Sequence, residues 1–68
     1  MGTFQEAEAM MLAGIVIGRE APQDVRLALR VAERLQRHEP LLADDADVYI
    51  VLRHRYAHEL AMLRRQDH

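Results

Sequence analysis

The sequence predicts an all-α fold, a three-helix mini-domain built as a helical hairpin plus a third helix. Three observations carry this. Pro22 and Pro40 cut the chain into thirds, apolar residues recur at spacings of three and four within each third, and cap signals fall near the cuts. The 68 residues make one domain, 1–68. A chain of this size buries only about 60% of the surface it exposes when unfolded, so its core is thin.

The first helix is expected over about 4–19. Thr3 and Glu6 form a capping box, in which the hydroxyl accepts from the Glu6 amide and the carboxylate reaches back. Within the helix, Ala9 to Gly18 is a ten-residue run without a polar side chain. Such a run is apolar on every side, and one packing face cannot cover it. Gly14 and Gly18 weaken the helix by up to about 1 kcal/mol each relative to alanine, a cost tolerable if another helix packs closely over them. Ile15-Val16-Ile17 also reads as a strand, but no second strand candidate is available to pair with it.

Pro22 suits the first turn of a second helix, expected over 22–38, where its missing N–H costs nothing. Val25, Ala28, Leu29, Ala32 and Leu35 make its apolar stripe, widened by Val31. Arg26, Arg30, Glu33, Arg34 and Arg37 cover the remaining surface, and Pro40 disfavours helical geometry at Glu39. The third helix, expected over 45–65, opens on an acidic cluster in which Asp44 or Asp45 caps and Asp47 meets the helix dipole. Val48, Leu52, Tyr56, Leu60 and Leu63 form its stripe, Arg64 and Arg65 complement the dipole at its end, and Val48 to Leu52 is apolar all round.

End to end, the helices show a partial internal repeat. Ala7-Glu8-Ala9-Met10 opens one unit, with Gly14 four residues on and Ala28, Ala32 and Leu35 before the closing Pro40. Ala46-Asp47-Val48-Tyr49 then opens another, followed by Leu52 and Tyr56. Over Ala7 to Tyr56 this resembles a tetratricopeptide repeat followed by the first helix of the next. It departs at Met10 and Arg19, where that family carries aromatics, at Arg53, where it carries glycine, and in a longer turn between Arg19 and Asp24. The apolar first helix and the Ala32-Glu33-Arg34-Leu35 segment before a polar turn are similar to the small chaperones of type III secretion needle subunits. That resemblance implies a concave helical face holding an aggregation-prone subunit in the cytoplasm.

Composition narrows the chemistry. Cysteine and serine are absent and the one threonine is the proposed cap, which removes the common thiol and hydroxyl nucleophiles. The chain is expected not to be an enzyme and to use no cofactor. His54 and His58 stand four apart beside Glu59, a spacing that fits two metal ligands but lacks the third and fourth, so no metal site is expected. Asp44, Asp45 and Asp47 lack the glycine and distal glutamate of a calcium loop. A net charge of −2, with acids interrupting the arginines, makes nucleic acid an improbable partner. A small DNA-binding regulator with a helix-turn-helix-like pair is the alternative, against which stands the long loop from His38 to Asp44. The apolar run follows Glu6 and Glu8 rather than a basic stretch and is too short to span a bilayer, so a cytoplasmic location is expected.

The resulting expectation is a protein–protein interaction module, a chaperone or adaptor whose partner is another chain, either a second copy or a heteromeric client. Phe4, Met11, Ile15, Tyr49, Leu52 and Tyr56 are the candidate partner-binding residues, because aromatic and methionine side chains contribute most at such surfaces.

Overall fold

The computed structural model describes residues 4–66, and Thr3 with its expected capping box lies outside them. Four helices follow one another: α1 (Phe4–Val16), α2 (Pro22–Gln36), α3 (Ala43–Arg55) and α4 (Ala57–Gln66). No strand forms among the described residues, so Ile15-Val16 closes a helix. The fold class is all-α as expected, but the predicted third helix is two.

α1 and α2 form an antiparallel hairpin closed by small side chains. Ala9 and Ala13 on α1, with Ala28 and Ala32 on α2, are buried and let the helices approach. The glycines do not serve this purpose. Gly14 is exposed, and a Cβ built there would meet nothing within 4 Å. Gly18 instead lies in the turn after α1, at φ 78°, a conformation that costs glycine little. Helix α1 therefore stops at Val16, short of the expected Arg19, and the Val16 carbonyl accepts from the amides of Arg19 and Glu20.

Helix α2 begins at Pro22 as predicted and ends at Gln36. Its buried face is Leu27, Ala28, Val31 and Ala32, with Val25 and Leu35 packed against the core, so the predicted stripe faces inward except at half-exposed Leu29, whose place Leu27 takes. His38 adopts φ 58°, and the Glu39 amide reaches back to the Arg34 carbonyl at 2.9 Å. This six-to-one bond is a Schellman closure with histidine where glycine is usual.

Helix α3 starts at Ala43, after Leu42, with no side-chain cap. Asp44 and Asp45 thus lie within its first turn rather than capping it. The chain bends at Tyr56 (φ −107°, ψ 20°), where the Tyr56 amide still bonds the Leu52 carbonyl and the Leu60 amide the Tyr56 carbonyl. The bend sends α4 onto α1 while α3 stays on α2. Leu52 and Leu60, one on each limb, thereby enter the same core as Leu12, Val16, Leu27 and Val31. A straight rod would carry Leu60 about 12 Å past Leu52 along one axis.

The Cα envelope measures 32 × 30 × 16 Å, a slab about two helices thick. Each helix has one inward side and a solvent side with no covering layer. Because an L-residue in the left-handed region is strained by about 1–2 kcal/mol, His38→Gly is expected to stabilise the domain by about 1 kcal/mol. That corresponds to a rise of about 4–8 °C in melting temperature followed by circular dichroism. A fall would mean that the imidazole itself stabilises the turn.

Candidate functional site

The candidate partner-binding residues lie mainly beside the core. Leu52 is 2% exposed and belongs to it. Met11, Ile15, Tyr49 and Tyr56 are half-buried and pack against it. Phe4 begins α1, and its side chain lies outside the described set. Tyr49 shares a small cleft with Gln5, Glu8, Leu35, Leu41 and Arg53, and burial, with Glu8 next, pushes its phenol above the ordinary value.

Apolar side chains stand in water elsewhere. On α1 and the turn after it, Ala7, Met10, Gly14 and Ile17 are exposed, at spacings of three, four and three. These spacings define one helix row, opposite the buried Leu12 and Val16. Met10 on α1 and Ile17 in the turn after it are 54% and 60% exposed, so apolar side chains stand on the solvent side of this segment as well as on its inner side. On α3, Ile50 and Val51 are 61% and 54% exposed, opposite Leu52. Leu29, Leu42, Met62 and Leu63 are the remaining exposed large apolar side chains among the described residues.

Charges join the helices rather than coat them. Glu8, inside the buried row of α1, accepts from Arg53 Nε of α3 and, at 3.4 Å, from Arg64 Nη1 of α4. Asp45 of α3 is buried against α2 and takes both prongs of the Arg30 guanidinium, at 3.0 and 3.1 Å. Glu20, in the turn between α1 and α2, accepts from Tyr56 Oη at 2.6 Å and Arg55 Nη1 at 2.7 Å. Arg19 beside it meets Glu59 of α4. The bend at Tyr56 is thus clamped to the α1–α2 turn from both of its limbs.

These contacts shift the carboxyl groups. The Arg30 hydrogen bonds hold Asp45 below its ordinary pKa, and the Tyr56 hydroxyl followed by Arg55 does the same for Glu20. The Tyr56 phenol is correspondingly raised, first by its bond to Glu20 and then by burial. The sequence reading treated the arginines as solvated surface and missed Glu8 and Asp45. A signal was available. Glu8 stands four before Leu12, and Asp45 stands seven before Leu52, so both lie on core-facing rows.

His54 and His58 sit on either side of the bend and are both exposed. Among the described residues, no three histidine, aspartate or glutamate side chains cluster as a metal-binding group. An open groove of about 350 Å³ between α3 and α4 is lined by Ile50, Ala57, Leu60 and Ala61 together with His54, Arg53, Arg64 and Glu8. No helix among the described residues is long and apolar enough to cross a membrane.

Depressed carboxyl pKa values stabilise the fold above their unfolded values, about 4, and that stabilisation is lost as pH falls through the folded values. The melting temperature is therefore expected to fall on acidification below about pH 5. Asp45→Asn should melt lower than the wild-type chain at pH 7 and show a shallower decline in acid. Equal pH slopes in thermal melts of the two proteins would remove Asp45 from the account. No protein-family model, curated protein or solved structure matches this chain.

Proposed function

We propose that this chain is a small cytoplasmic interaction protein, a non-enzymatic chaperone or adaptor that holds a helical segment of a client protein. One observation carries the reading: the solvent side of α1 and of the turn after it, Ala7, Met10, Gly14 and Ile17, is an apolar row. A helix with a single buried stripe places polar residues on the opposite side. Here the opposite side has methionine and isoleucine about a bare glycine.

Gly14 supports the reading further. It weakens α1 by about 1 kcal/mol relative to alanine, and no neighbour in the fold occupies the space its missing side chain leaves. A notch between Met10 and Ile17 lets a partner helix come close, as small residues do at helix crossings. The Met10 side chain, whose sulfur accepts from Gln36 Nε2 of α2 while about half the residue stays exposed, is flexible enough to repack against a client of variable shape.

The resemblance to small chaperones of secretion needle subunits names a client class with the same needs: a helical, aggregation-prone subunit held before export. The charge pattern fits a protein client better than nucleic acid. Arg19, Arg30, Arg37, Arg53, Arg55 and Arg64 each pair with a carboxylate of the same chain, which reduces the positive field a phosphate backbone requires.

Gly14 supplies the test. Gly14→Ala should raise stability by up to about 1 kcal/mol, because the site is open and helical. Gly14→Arg, placed in the same open space, should fold and yet lose the client. Affinity purification of the wild-type chain from its native host, with mass spectrometry, is expected to recover a helical secretion or assembly subunit that Gly14→Arg does not retain. Equal recovery by both proteins, or no client with either, would overturn the reading.

A further inference from the structure

The outward side of α3 is self-complementary. Leu52 and Asp45 mark its inner side, and Asp47, Ile50, Val51 and His54 are all exposed, spaced three, one and three. On a helix these four lie on one face. The row is symmetric about the midpoint between Ile50 and Val51: an apolar pair at the centre, an acid three residues before it and an imidazole three residues after it.

We infer that two copies of this chain pair through α3, antiparallel about a twofold axis passing between Ile50 and Val51. In this register Ile50 of each copy faces Val51 of the other, and Asp47 of each faces His54 of the other. Each carboxylate then accepts a hydrogen bond from an imidazole N–H at the rim, on both sides of a dry centre. A twofold contact requires one patch to match itself, and this row does. A parallel arrangement would set Asp47 against Asp47 and His54 against His54. Antiparallel pairing also lays the exposed Asp44 of the acidic first turn toward the partner's basic last turn, and opposes the two helix dipoles.

This extends the partner-binding reading by naming a partner for a second face, distinct from the α1 row. The central contact is small, two half-exposed aliphatic side chains per copy, so the pair forms and dissolves with concentration rather than being permanent. Helix α2 and the α1 face remain open in it, so a dimer presents two client surfaces.

The test exploits the register. Sedimentation equilibrium of the wild-type chain at about neutral pH is expected to show a mass rising from 7.9 kDa toward twice that value with concentration. Asp47→Arg replaces the acceptor at each rim contact with a guanidinium, which only donates and so cannot accept from the imidazole N–H, and His54→Asp sets two acids against each other. Each variant is therefore expected to dimerise at least tenfold more weakly. Mixed in equal amounts, the two variants should pair with each other, since one rim contact then joins the introduced arginine to the introduced aspartate and the other keeps the native Asp47–His54 hydrogen bond. Val51→Glu should remain monomeric in every mixture. All of these positions are exposed, and circular dichroism will verify that each variant folds.

A wild-type chain that stays at 7.9 kDa at millimolar concentration would overturn the inference, as would charge variants that fail to recover pairing when mixed. Neither result bears on the α1 reading, because Gly14→Arg should lose its client while its self-association is unchanged.

Discussion

Glu8 is the residue on which the arrangement of the helices turns. Its carboxylate is buried in α1 and is shared between Arg53 of α3 and Arg64 of α4, two helices on opposite sides of a bend. Apolar packing alone would specify this arrangement weakly. Much of the buried set is alanine and valine, side chains with little shape to lock a crossing angle. A buried carboxylate is costly unless its oxygens are satisfied, so arrangements that leave Glu8 without both guanidiniums are penalised. Asp45 with Arg30 imposes the same requirement between α2 and α3, and Glu20 with Tyr56 and Arg55 imposes it at the bend. The arginines remain about half exposed, so their contribution lies more in selecting one packing than in raw stability.

The thinness of the slab follows from the same shortage of core. Four short helices whose inner sides meet in one layer of aliphatic side chains cannot also cover their own outer sides. Two solutions occur in this chain. The outer side of α2 is mainly charged and polar, with Gln23, Arg26, Arg30, Glu33 and Arg37 in solvent beside a single leucine, Leu29. The outer sides of α1 and of the middle of α3 are apolar. Met10, Ile17, Ile50 and Val51 are therefore not the residue of a small domain that ran out of polar side chains.

Much of this was legible before the structure, at the level of elements. Pro22 opens α2, the helical periodicity holds throughout, and the excess of apolar side chain in Ala9 to Gly18 reappears as exposed Met10 and Ile17. The bend at Tyr56 was not legible, since no proline or glycine marks it. It arises because Leu52 and Leu60 serve one core while packing over different helices, and because Glu20 and Arg19 reach the junction from a distant turn. On α2 the expected stripe faces the core except at Leu29, whose place Leu27 takes, because both leucines fit a spacing of three and four. Asp44 and Asp45 were read as caps because aspartate at a helix start usually caps. Their position within the first turn of α3 comes from Leu42 taking the cap, and Asp45 then falls on the row facing Arg30. Side chains that are polar and buried are the hardest to assign by pattern, because their partners lie in other helices.

The contrast between α2 and α1 bears on composition as an explanation. Alanine and leucine are abundant and lysine is absent, so a coding bias alone would spread apolar residues over every surface. It has not done so. Helix α2 concentrates its apolar residues inward, with buried Leu27, Ala28, Val31 and Ala32, and presents arginines to water. Under the same bias, α1 carries apolar residues on both sides, and its outer row includes a glycine that weakens the helix and fills no contact in the fold. A bias acts on the whole chain, whereas here exposed apolar rows gather on the outer sides of α1 and of the middle of α3 while α2 stays polar outside, which is the pattern the proposed surfaces require.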